Sequence, residues 1–129
     1  MKKADMKVTE LELGVLQQIW HRNNQATVNE VLEGWGGKKP GYTTVLKTLQ
    51  KMEAKGIVGH RQDGRRYLYF STLKREQVTE GRLQTIIGRI FSGNKISFAE
   101  YFIKSSDLSL DDIAELKKMV ADREKELKR

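Results

Sequence analysis

The chain has 129 residues, enough for one small domain with an appendage, and 38% of it is apolar. It has no Cys, which excludes disulfides, thiolate metal sites and cysteine nucleophiles; without a signal-like run or a stretch of about 18 apolar residues, a cytoplasmic location with no membrane insertion is expected. Its net charge of +7 is concentrated: from Lys38 to Arg66 eight Lys or Arg stand against Glu53 and Asp63 alone, and the remainder is close to neutral, a placement that suits a polyanionic partner.

Thr9-Glu10-Leu11-Glu12 has the form of a capping box. It opens a helix over about Glu10 to His21, with Leu13, Leu16 and Trp20 at helical spacing and Ile19 beside them. Asn23-Asn24 breaks it. Thr27-Val28-Asn29-Glu30 is a second capping box, and the short helix it opens carries Val28, Val31, Leu32 and Trp35 before Gly34, Gly36 and Gly37.

After the Pro40-Gly41 turn a third helix begins near Tyr42 or Thr43 and stops at Gly56. Val45, Leu49 and Met52 form its core stripe, flanked by Leu46. Thr43, Thr44, Lys47, Thr48, Lys51 and Lys55 form the opposite face. The period then changes to 2. Ile57–Arg61 and Arg66–Phe70 read as strands, and Asp63-Gly64 between them is a hairpin signal.

From about Lys74 a long helix with Val78, Leu83, Ile86, Ile87, Ile90 and Phe91 is expected to end at Ser92-Gly93. A short apolar helix follows, with Ile96, Phe98, Ala99, Phe102 and Ile103. Ser109 caps a last helix, whose stripe is Ile113, Leu116 and Val120.

Three helices followed by a hairpin describe a winged helix-turn-helix. The expected fold is therefore mainly α with a small β-hairpin: a DNA-binding domain over 1–72 and a helical dimerisation domain over 73–129. The third helix fits a major groove about 12 Å wide. Thr43, Thr44 and Thr48 suit base edges, and Lys47 and Lys51 suit bases or phosphates. Lys39 and Tyr42 at the helix start, and Arg65 and Arg66 on the wing, suit phosphates.

Leu11-Glu12-Leu13 with Ile19-Trp20, Tyr42-Thr43-Thr44-Val45 with Leu49 through Gly56, and Asp107-Leu108-Ser109 together resemble the penicillinase-repressor family over nearly the whole chain. The resemblance implies a homodimeric repressor on a palindromic operator of double-stranded DNA. It also implies release through a membrane-bound sensor-protease that brings about a cut in the second-last helix. The family's Asn-Phe cleavage pair reads Tyr101-Phe102 here.

Dimerisation is expected on physical grounds as well. Ile86, Ile87, Ile90, Phe91, Phe98, Phe102, Ile113, Leu116 and Val120 present more apolar surface than a thin helical arm can hide. A twofold partner would cover it; the alternative is an arm folded back onto the winged domain.

His21 and His60 have no ligand-spaced partner, so no metal is expected. Trp20 and Trp35 suit core packing. No nucleophile–base set and no phosphate-loop motif is visible, so neither an enzyme nor a cofactor is expected. Two other readings remain: a winged-helix protein-interaction module, and a DNA-binding regulator that senses a small molecule between winged domain and arm.

Overall fold

The computed structural model describes residues 7–129; the first six residues of the expected 1–72 domain lie outside them. Helices α1 (Glu10–His21), α2 (Val28–Glu33) and α3 (Tyr42–Ala54) precede strands β1 (Val58–Asp63) and β2 (Arg66–Ser71). Helices α4 (Arg75–Arg89), α5 (Lys95–Ser105) and α6 (Leu110–Leu127) complete the chain. The fold is a winged helix-turn-helix followed by a helical segment. The chain divides into two compact units inside α4, one ending at Gln84 and the other beginning at Thr85.

Three helix starts are fixed by reciprocal capping boxes. Thr9 and Glu12 exchange backbone and side-chain hydrogen bonds of 2.9 and 3.1 Å, Thr27 and Glu30 do the same, and Ser109 and Asp112 form the third. Each box satisfies two N–H groups that the first turn leaves open. Asn23 and Asn24 end α1 with left-handed φ of 58° and 61°, a conformation Asn tolerates better than most residues.

The strands pair antiparallel from Val58↔Ser71 to Asp63↔Arg66. Only Gly64 of the two loop residues takes positive φ (67°), the backbone a tight hairpin needs there. A single bridge adds a third edge to this sheet. Ala26 and Tyr69 exchange N–H···O bonds of 3.0 and 2.8 Å, tying the α1–α2 loop to the wing.

The core of the first unit joins Val15, Leu16 and Ile19 of α1 to Val31, to Val45, Leu49 and Met52 of α3, and to Ile57. The expected stripe of α3 is its buried face. That of α1 is corrected: Glu12, Val15, Leu16 and Ile19 are buried, whereas Leu13 and Trp20 are only partly so. Apolar residues lie on almost every face of α1, so spacing alone could not select the inner one. Trp20 stays at the rim because its indole N–H donates to the Leu73 carbonyl at 3.1 Å. The first half of α4 belongs with this unit: Val78 joins the core, and Arg82 donates to Glu10 at 2.6 Å and to the Val8 carbonyl at 2.8 Å.

Gly14 lies mid-α1, where Ala has the better helix propensity by roughly 1 kcal/mol. A Cβ there would meet the Trp35 indole at 2.4 Å. Gly14→Leu is therefore expected to lower stability by about 1–3 kcal/mol through overpacking. Urea melts would read the loss, and an unchanged midpoint would mean that Trp35 moves aside freely.

The second unit is thin. Neither α5 nor α6 has a buried residue. Its internal order comes from the Asn94 and Ser109 caps and from the Phe91 ring, edge-on to Phe98 at 5.7 Å and tilted against Tyr101 at 5.9 Å.

Candidate nucleic-acid interface

Helix α3 separates its two faces because its apolar residues recur at helical spacing and the residues between them are polar. Tyr42 (50% exposed), Thr43, Thr44, Lys47 and Lys51 are exposed along one side, as is Lys39 ahead of the helix. Gly41 caps the helix without a side-chain hydrogen bond, and no acid lies in its first turn. Nothing in that turn therefore repels an anion.

Two residues of the expected groove face are placed otherwise. Thr48 is buried at 8% exposure, and its hydroxyl donates to the Thr44 carbonyl at 2.7 Å. Val45, Thr48, Leu49 and Met52 stand at i, i+3, i+4 and i+7, the full width of an inward stripe, so Thr48 belongs to the core side. Lys55 is turned toward α1, where its ammonium donates to both Glu12 carboxylate oxygens at 2.9 and 2.8 Å. It serves the fold and leaves the exposed cationic face.

Gln50 is exposed on α3 three residues beyond Lys47 and belongs with that face. The same spacing could have marked it in the sequence. A Gln amide can donate to and accept from one adenine edge.

On the wing, Arg65 is at the hairpin tip and Arg66 is exposed beside Asp63, to which it donates at 3.1 and 3.3 Å. His60 faces α3: its Nδ1 lies 2.6 Å from Glu53, and its ring lies against Tyr67 and Tyr69. This contact braces β1 against α3 and occupies the acid nearest the groove face. Burial, helped by the charge of Glu53, pushes the Tyr69 phenol above its ordinary pKa.

Among the described residues no ion pair involves Lys38, Lys39, Lys47, Lys51 or Arg65. Arg61 has no ion pair among them either, donating instead to the Gln25 amide oxygen, so six cations of the positive stretch carry no internal countercharge. Among the described residues there is also no His, Asp and Glu group that could hold a metal, and no helix long and apolar enough to cross a membrane.

The residues expected at a dimer face divide. Ile86, Ile90, Phe102 and Val120 are exposed, and Phe91, Phe98, Ile113 and Leu116 are half-buried. Ile87 is buried, and so has no free apolar surface to offer. Ile86, about 100° around the helix from it, stays 39% exposed. Tyr101 and Phe102 are exposed within α5.

Residues 8–122 match the family model described as penicillinase repressor. The methicillin resistance regulatory protein MecI of Staphylococcus aureus (strain N315) is 22% identical over 93% of this chain and 98% of its own length. The penicillinase repressor of Bacillus licheniformis is 25% identical over 90% of each chain, and the transcriptional regulator BlaI of Mycobacterium tuberculosis is 24% identical over 92% of this chain and 86% of its own. Among solved structures, MepR, a transcription regulator of the Staphylococcus aureus multidrug efflux pump MepA, shares the fold with a TM-score of 0.50 at 18% identity over 97% of this chain and 87% of its own.

Proposed function

The chain belongs to the penicillinase-repressor family, and from that premise we propose that it represses transcription by binding a palindromic DNA operator as a homodimer. The family is one of transcriptional repressors and not of enzymes. The observation that carries the reading is the exposed face of α3, with Thr43, Thr44, Lys47, Gln50 and Lys51 free of internal carboxylates and Arg65 beyond it on the wing.

In this reading α3 enters the major groove. Thr44, Lys47 and Gln50 meet base edges; Lys39, Tyr42, Arg65 and Arg66 meet phosphates; and Thr43 and Lys51 serve either. The unit ending at Gln84 holds the DNA, the unit from Thr85 pairs with its copy, and the protein works in the cytoplasm.

Variant binding to an operator and to its single-base substitutions tests the assignment. Thr44→Ala and Lys47→Ala should relax base preference by about 1–3 kcal/mol at the position touched. Arg65→Ala should weaken every duplex alike and lower the salt slope by about 1. Equal effects of all three on every sequence would remove α3 from base reading.

A sensor-protease completes the proposal, with Tyr101-Phe102 as the bond cut. That bond lies inside a helix, and the Phe102 carbonyl accepts from the Ser106 N–H at 3.1 Å. A protease grips extended backbone, so α5 must open first. With no residue of α5 buried in the single chain, opening it exposes little further surface within the protomer.

A further inference from the structure

A pocket of about 430 Å3 opens on the winged unit between the end of α1, the start of α2 and the hairpin. Arg61, Asp63, Arg66 and Leu68 alternate along the strands with His60 and Tyr69 and so share the opposite face of the hairpin from the one that meets Glu53 of α3. Arg22 and Glu30 close the other side.

The charges there are poorly matched. Three guanidiniums, those of Arg22, Arg61 and Arg66, face two carboxylates, those of Glu30 and Asp63. Arg66 pairs with Asp63 through Nε and one Nη only, both side chains more than half exposed, and Arg61 donates to the Gln25 amide oxygen. Arg22 reaches Glu30 only at 3.7 Å, and its Nε–H is buried with no acceptor among the described residues. Glu30 already accepts from the Thr27 N–H at 2.9 Å through Oε1, which leaves its other oxygen to face Arg22. A buried guanidinium N–H without an acceptor is costly, and a planar carboxylate is the group whose geometry answers a guanidinium fork.

We infer that this pocket binds a small monoanionic carboxylic acid through Arg22 and Arg66, and that an occupied pocket weakens DNA binding. One negative charge balances the surplus positive one. The volume lies within the range of about 300–1,000 Å3 usual for small-molecule sites. Gln25 and Gln62 offer further hydrogen bonds, and Leu68 an apolar wall. The coupling to DNA rests on the function proposed above: an Arg66 guanidinium turned inward to a ligand is lost to the phosphate backbone.

The test follows the Arg Nε–H resonances of the full chain by 1H–15N NMR while acetate, benzoate or inorganic phosphate is added, against chloride at equal ionic strength. A carboxylate should shift the Arg22 Nε–H saturably. Arg22→Gln should weaken that binding by about tenfold or more, and Arg66→Gln, on an exposed strand position, gives a second variant if Arg22→Gln folds poorly. No saturation by either carboxylate up to roughly 50 mM, saturation by phosphate alone, or saturation untouched by both variants overturns the site. These readouts need no DNA, so the site is judged even if the DNA reading fails. For the coupling, operator affinity should fall several-fold under saturating carboxylate relative to chloride, and an unchanged affinity overturns it.

Discussion

Replacing Ile90 with Glu is expected to turn the protein into a monomer and to reduce its affinity for a palindromic operator by about a thousandfold or more. Ile90 is 71% exposed in the single chain, so the substitution removes no internal packing and adds no buried charge to the protomer. Within a dimer interface the same carboxylate would be desolvated without a partner, which costs several kcal/mol per ion. A monomer holds one half-site. Its affinity drops from the range of about 10⁻⁸–10⁻¹¹ M typical of specific sites toward that of about 10⁻⁴–10⁻⁶ M typical of non-specific binding. Val120→Glu, on α6 and equally exposed, should act alike. Sedimentation gives the mass, and far-UV circular dichroism should show the helices intact. A dimer that survives both changes would place the interface elsewhere.

Lys55→Ala is expected to cost the winged unit about 2–3 kcal/mol. It leaves the Glu12 carboxylate, 4% exposed, with the Thr9 N–H as its remaining donor. One-sided loss of a buried pair costs roughly 3–5 kcal/mol, and the partly exposed ammonium brings the figure down. Glu12→Gln combined with Lys55→Ala should recover much of the loss, because the stranded charge is then gone. The pH dependence has a definite sign. Burial works to raise the Glu12 pKa, but the hydrogen bond from Lys55, the Thr9 bonds and the Lys55 charge outweigh it, and the pKa is lowered from 4.5. A carboxyl whose folded pKa is depressed stabilises the fold above its unfolded value, and that stability is lost as pH falls through the folded one. Melting temperature should thus fall on acidification below about pH 4.5 and fall less steeply in Lys55→Ala. Equal acid slopes in the two proteins would contradict the role given to the pair.

Element boundaries were legible where their causes are local. The capping boxes at Thr9 and Thr27, the Ser109 cap, the paired Asn after α1 and Asp63-Gly64 at the hairpin each act within a few residues, so a reader of the chain meets the whole device at once; that Asp112 answers Ser109 reciprocally is added by the structure. The inward stripe of α3 was legible for the same reason. Thr48 was not, because its polarity argued for solvent while its spacing placed it inward; a hydroxyl that donates to the carbonyl four residues earlier lets spacing win. Lys55 and Glu12 are 43 residues apart, and only the packing of α1 against α3 brings them together. The Arg22 pocket likewise assembles residues from α1 to β2 that share no sequence pattern. Ile87 shows the remaining difficulty: in a run of Ile residues, hydrophobicity alone does not say which one faces inward.

The most direct test of the central claim is the affinity of the purified protein for a palindromic operator, found by selection from a random duplex pool, against a scrambled duplex at 50 and 200 mM salt. The account predicts dimer binding to the palindrome at least a hundredfold tighter than to the scrambled duplex. It also predicts a loss of about 10³–10⁵ in affinity between the two salts, as six to ten neutralised phosphates require. Equal, weak binding of both duplexes with a shallow salt response, and no sequence enriched from the pool, would contradict it.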